Sequence, residues 1–200
     1  MLIVFDGIDR AGKSTHLRII TQWLKSNCVE YLLAREPGGT IFAEKIRRIL
    51  LWQKDAKLDP VVQLLLFSAA RYDLTKTFKT MLEENPDKLI LCDRFIDSTY
   101  AYQGQFFTDA EITAIAKMTV NVQPDFVFLF LNSYGKSKNN MDDFANEYRA
   151  QIIARFKKRA ISAPEKYFIV PNGHLKKQQE IIRHKMLQLL QVEKGLKVTK

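Results

Sequence analysis

An α/β fold, a five-stranded parallel sheet covered by helices on both faces, is what this sequence predicts. Three observations predict it. Strand-like and helix-like patterns alternate from one end to the other, the strand-like runs are apolar without alternation, and no linker or internal repeat interrupts them. At 200 residues the chain holds one core without dividing, since single cores stop growing near roughly 250–300 residues. A single domain over 1–200 is expected.

Leu2–Phe5 is the first apolar run, and Lys13–Lys25 follows with Leu17, Ile20 and Leu24 at helical spacing. Val29–Leu33 is strand-like again. Phe42–Leu51 puts Ile46, Ile49 and Leu50 on one helical face. Asp59–Pro60 reads as an N-cap with proline at the first helical position, opening a helix that runs to about Glu84. Lys88–Cys92 is a short buried-strand run, and a helical stretch begins at Asp109. Phe126–Leu131 (FVFLFL) is the strongest strand in the chain. Asp142–Ala160 is amphipathic, with Tyr148, Ile152 and Phe156 four apart. Tyr167–Val170 is the last strand, ended by Pro171-Asn172-Gly173, and a final helix ends near Val192. Asn132–Asn140 (NSYGKSKNN) is polar, basic and glycine-containing, and reads as a mobile loop or a surface connection.

Composition narrows the class. Hydrophobic residues make up 46%, as in ordinary globular proteins. The longest apolar runs, Val61–Val62 and Leu64–Phe67 around Gln63, fall far short of the ~20 residues a membrane span needs. Met1–Phe5 meets Asp6 too early to be a signal-peptide core. The expectation is a cytoplasmic protein with no membrane partner. Cys28 and Cys92 lack CxxC spacing, which argues against a zinc site or disulfide framework, and both are expected as free thiols buried in strands. His16, His174 and His184 have no triad context and are expected to pack or face solvent. The net charge of +9, from 31 basic and 22 acidic residues, attracts polyanions, and phosphorylated small molecules meet that as well as nucleic acid does. The C-terminal basic clusters have no aromatic residue after Phe168, so no nucleic-acid partner is expected.

Gly7-Ile8-Asp9-Arg10-Ala11-Gly12-Lys13-Ser14 matches GxxxxGK[ST], with Thr15 next. A phosphate chain wrapped by backbone N–H groups needs glycine where side chains would clash, and a helix whose N-terminus faces the anion. A strand before and an amphipathic helix after supply that setting. Lys13 is then expected on the β- and γ-phosphates of a nucleotide, and Ser14 on Mg²⁺. Leu89-Ile90-Leu91-Cys92-Asp93 ends an apolar strand in a carboxylate, which a parallel sheet presents at its C-terminal edge, where ligands bind. Asp93 is the expected second metal-orienting residue.

Four segments together resemble the thymidylate kinases: residues 5–15 (FDGIDRAGKST), Arg35–Thr40 (REPGGT, the bacterial form of the family's second motif), Leu66–Arg71 (LFSAAR) and Asp93–Gly104 (DRFIDSTYAYQG). Their order and spacing match through about residue 132. The resemblance implies a P-loop NTPase three-layer α/β/α fold with a short lid over about 133–146, ATP as donor with Mg²⁺, thymidine monophosphate (dTMP) as acceptor, and a homodimer. It implies roles by position. Asp9 is the acid near the sugar 3′-hydroxyl and the metal, Arg94 the guanidinium on the acceptor phosphate, and Phe67 the platform under the base. Arg71 becomes a donor to a base carbonyl. Ser98, Thr99 and Gln103 become the polar group at the base edge, Tyr102 the ring that excludes a ribose 2′-hydroxyl, and Glu36 and Pro37 the turn beside the acceptor.

The chain departs from the family in carrying Asp6 where glutamate is usual, Asn132 where aspartate is usual, and Lys136 and Lys138 in a lid that is usually arginine-rich. Arg10, inside the phosphate loop, is the expected source of the catalytic cation, with Arg149 and Arg155 as secondary candidates. The alternatives are a kinase for another nucleoside monophosphate or a deoxynucleoside and, from another class, a non-catalytic P-loop module that binds nucleic acid.

Overall fold

The computed structural model describes residues 1–51, 58–132 and 143–194. Its strands are β1 (Leu2–Gly7), β2 (Tyr31–Arg35), β3 (Leu89–Asp93), β4 (Phe126–Phe130) and β5 (Tyr167–Ile169). Its helices are α1 (Lys13–Ser26), α2 (Ile41–Leu51), α3 (Pro60–Glu84), α4 (Ile96–Gln103), α5 (Asp109–Thr119), α6 (Asp143–Ser162) and α7 (Leu175–Lys194). The strands form one parallel sheet in the order β2-β3-β1-β4-β5. All residues of β1 and β4 are buried, because a parallel sheet packs helices on both faces. Phe5 and Phe128, both fully buried, and the half-buried Phe168 interlock at ring separations of 5.0 and 6.0 Å, and each of the two fully buried rings contributes roughly 1.5–3 kcal/mol of transfer energy.

The register positions the chemistry. Phe5 lies opposite Asp93 on one side and Phe128 on the other, so Asp6, Gly7 and Asp93 meet at the C-terminal edge of the central strands. Asp59 caps α3 by accepting from the Val61 amide at 2.8 Å, with Pro60 in the first turn. Thr108 and Glu111 close a capping box on α5.

Several expectations are corrected. The second strand begins at Tyr31, because the end of α1 is prolonged as a turn in which the Val29 amide reaches back to the Leu24 carbonyl at 2.9 Å. Cys28 sits in that turn at φ 55 and is exposed, whereas Cys92 is buried in β3 as expected. α4 had no counterpart among the expected elements. Residues 133–142 of the expected lid lie outside the described residues, and from 143 the chain is already α6. His16 is buried, while His174 and His184 are exposed.

Candidate active site

The loop between β1 and α1 needs two glycines for different reasons. At Gly7, φ is 133 and a Cβ would run into the Phe130 carbonyl of the neighbouring strand. At Gly12, φ is 85 in the N-cap residue just before α1, so the helix N-terminus has no side-chain cap. The first amides of α1 therefore face the loop with their positive dipole end free for an anion. Lys13 folds back over the loop and donates to the carbonyls of Gly7 and Ile8 at 3.1 and 2.6 Å. Burial, seconded by the nearby Arg94 charge, lowers its pKa to about 8. Arg10 stands exposed at φ 59. Ser14 donates to Asp93 Oδ2 at 3.1 Å, and the other Asp93 oxygen is buried with no hydrogen-bond partner among the described residues. These residues line a cleft of about 530 Å³.

Beside it opens a second cleft of about 460 Å³. Asp9, Glu36, Arg47 and Arg94 line both, so the two clefts share one wall. Arg94 is the joint. It is held at φ 68 while its amide donates to the Phe5 carbonyl at 3.0 Å. A left-handed conformation costs a non-glycine residue roughly 1–2 kcal/mol, and the surrounding contacts hold Arg94 in it. Its guanidinium donates to the Gly7 carbonyl and to Ser98 Oγ, each at 3.0 Å, pairs with Asp9, and lies 5.6 Å from the Tyr102 ring centre. Burial alone would weaken its hold on the proton, but Asp6, Tyr102 and Asp9 outweigh that and its pKa is raised.

Phe67 is half-buried on α3 and lines the second cleft with Arg71, Thr99, Tyr102 and Gln103. Arg71, one turn after Phe67, is 1% exposed rather than a surface cation. It pairs with Glu36 and donates to Thr99 Oγ1 at 2.6 Å, and its Nε has no partner among the described residues. Burial drives the Glu36 pKa up to about 7 against the pull of Arg71. Gln103 donates to Gln63 at 3.3 Å, and its own carbonyl oxygen is buried with no partner among the described residues. An unpartnered donor and an unpartnered acceptor thus meet at this cleft, the pattern a nucleobase edge would complete. The Tyr102 hydroxyl donates to Asp9 at 3.3 Å. Pro37, after a cis peptide bond, lines the same wall.

The structure brings together the expected residues of the phosphate loop, Asp93, Arg94, Glu36, Pro37, Phe67, Arg71, Thr99, Tyr102 and Gln103. Ser98 lines the second cleft as well, its hydroxyl donating to Asp6 at 2.6 Å and accepting from Arg94 at 3.0 Å. Arg155 donates to the Ala101 carbonyl at 3.3 Å and lines neither cleft. Sequence reading missed Arg47, which lines both clefts from α2 and donates to the Pro37 carbonyl at 2.8 Å, and Tyr148, which reaches the second cleft from α6.

Among the described residues no helix is long and apolar enough to cross a membrane. A family model described as thymidylate kinase matches residues 5–182. The thymidylate kinase of Neorickettsia sennetsu is 34% identical over 190 residues, covering 92% of each chain. That of Symbiobacterium thermophilum is 44% identical over 105 residues, a match spanning 52% of this chain and about half (48%) of the relative. The crystal structure of thymidylate kinase from Ehrlichia chaffeensis superposes with a TM-score of 0.76 at 30% identity, covering 94% of this chain and 98% of that one. By the family model over residues 5–182, the relative matched over 92% of each chain and the solved structure matched over nearly its whole length, the chain belongs to the thymidylate kinase family.

Proposed function

We propose that this chain transfers the γ-phosphoryl group of ATP to dTMP, giving ADP and dTDP, in the cytoplasm. The observation that carries the reading is the wall common to the two clefts: a donor triphosphate on the glycine loop and a monophosphate held by Arg94 and Arg47 would meet end to end. Phosphoryl transfer asks the protein for alignment and charge neutralisation more than for covalent chemistry.

Lys13 leaves the loop carbonyls for the outer phosphates of ATP, and Arg10 neutralises charge that spreads over the moving group. Arg94 and Arg47 hold the acceptor phosphate in line, with Asp9 beside the sugar. Phe67 stacks on the base, while Arg71 and Gln103, steadied by Glu36 and Thr99, pair with its edge. Tyr102 fills the space a ribose 2′-hydroxyl would need. The Ser14 hydroxyl and Asp93 carboxylate, 3.1 Å apart with one carboxylate oxygen unpartnered among the described residues, are hard oxygen donors that fit Mg²⁺ and would hold it there. When bound, the ion neutralises the outer phosphates of the donor.

The exposed apolar residues Ile41, Phe42 and Ile49 on α2 and Val61, Val62 and Leu65 on α3 support a homodimer through these helices. Pro171–Gly173, after β5, is assigned to the neighbourhood of the adenine. A coupled ADP-release assay tests the reading, with dTMP set beside uridine, cytidine and guanosine monophosphates. Turnover with dTMP at least tenfold above the others is expected, and turnover independent of acceptor would overturn it.

A further inference from the structure

α4 has two faces with different partners. Thr99, Tyr102 and Gln103 look into the acceptor cleft, while Asp97, Tyr100, Ala101 and Gly104 lie along α6. Asp97 is 1% exposed. Its carboxylate accepts from Arg159 Nε at 2.9 Å and from the Tyr167 hydroxyl at 2.9 and 3.1 Å. The Arg159 guanidinium also lies over the Tyr100 ring at 4.1 Å. One turn earlier on α6, Arg155 holds the Ala101 carbonyl and passes beside Gly104, where an added Cβ would stand 3.1 Å from its Cδ. The two arginines, four residues apart, therefore run along one face of α4.

α6 reaches the acceptor cleft as well. Phe156 is fully buried and meets the Tyr102 ring edge-on at 6.3 Å, and Tyr148 lines the cleft while accepting from Gln105 at 3.2 Å. Where α6 stands against α4 thus decides where Tyr102 stands over the acceptor. An apolar contact would let the helices slide. A buried carboxylate with directional donors from α6 and β5 does not, because any shift strips charge-assisted bonds from a group that water cannot reach.

We propose that Asp97 and Arg159 are a positioning pair that fixes α4 against α6 and thereby sets the acceptor pocket. The proposal rests on the assignment of that cleft to the acceptor nucleotide. Neither residue touches substrate; both act through Tyr102, Thr99 and Gln103.

The test compares the full chain with Asp97→Asn, Arg159→Met, Arg159→Lys and Tyr167→Phe, reading KM for dTMP, KM for ATP and kcat beside thermal melting. Asp97→Asn and Arg159→Met are expected to lose roughly tenfold or more in kcat/KM for dTMP, the scale of a sub-ångström misplacement, with KM for ATP within about twofold of the parent. Arg159→Lys keeps the charge without the planar fork and is expected to recover part of the loss. Arg159→Lys and Tyr167→Phe are mild enough to report even where the other two fail to fold. Variants that melt lower while kcat/KM for dTMP stays at the parental value would overturn the proposal, as would an equal rise of both KM values. A parent chain that releases no ADP with dTMP would instead fail the acceptor assignment, and this inference with it.

Discussion

Asp6 accepts hydrogen bonds from both the backbone amide and the hydroxyl of Ser98, at 3.0 and 2.6 Å, across 92 residues of sequence. It also accepts from the amides of Gly7 at 2.7 Å and Phe95 at 3.1 Å. The strand that leads into the phosphate loop therefore caps the helix that lines the second cleft, in place of a side chain from that helix's own N-cap. Asp6→Asn keeps an acceptor oxygen but sets an NH₂ against donors. A loss of about 3 kcal/mol is expected by urea denaturation, the order of two buried charge-assisted bonds, together with a lower kcat as Arg94 loses its frame. A loss below about 1 kcal/mol would mean that the cap is dispensable.

Lys13 gives a pH signature. Its pKa is lowered to about 8, chiefly by burial, and bound phosphates favour its charged form. Below about pH 8 the lysine is charged with or without ATP, so affinity is flat. Above it the free enzyme must take up a proton to bind, and affinity falls by up to tenfold per pH unit. Calorimetric titration of ATP from pH 7 to 9.5 is expected to show this break, and Lys13→Ala to remove both the break and turnover. A flat profile in the parent would detach Lys13 from the phosphates.

Arg10 can be tested without strain. Its φ of 59 suits glycine, so Arg10→Gly relaxes the backbone while removing the cation. A fall in kcat of about 10²–10³ is expected, the scale of one preorganised charge-stabilising donor, with melting temperature unchanged or higher. A near-parental kcat would move the role to another cation.

Much of the fold was legible because its signals are local. FVFLFL announces a doubly covered strand, and Asp59-Pro60 carries the cap and first turn of α3 within two residues. α4 was not legible because its cap is Asp6, far away in sequence, and because its two polar faces mask helical periodicity. Cys28 was misread for a related reason. The apolar run after Asn27 looks like a strand, but α1 ends in a turn that claims its first residues. In the site, the glycine loop spoke for itself. The pairing of Glu36 with Arg71 and the reach of Arg47 into both clefts depend on three segments meeting, which spacing along the chain does not encode.

Tyr102 separates ring from hydroxyl. Burial pushes its pKa up to about 12, so the hydroxyl stays protonated and donates to Asp9 across the working pH range. Tyr102→Ala opens the space beside the acceptor sugar and is expected to cut the preference for deoxyribose over ribose acceptors about tenfold. Tyr102→Phe keeps the ring and is expected to keep the preference. An unchanged ratio in the alanine variant would remove Tyr102 from discrimination.

Glu36→Gln separates stability from function at one buried side chain. Burial raises the folded-state pKa of Glu36 to about 7 from an ordinary 4.5. Between those values the folded chain holds a proton that the unfolded chain has released, so parental stability falls as pH rises through this window and levels off above about 7. Glutamine mimics the protonated form and does not titrate. The variant is expected to match the parent at low pH and to exceed it above pH 7, by as much as about 3 kcal/mol, when urea denaturation is compared at pH 4.5 and 8. Function moves the other way. Arg71 loses the carboxylate that aims it between Thr99 and the acceptor cleft, and KM for dTMP is expected to rise about tenfold at pH 8. A variant less stable than the parent at pH 8 would show instead that the ion pair, rather than the desolvated carboxylate, dominates the energetics of this wall.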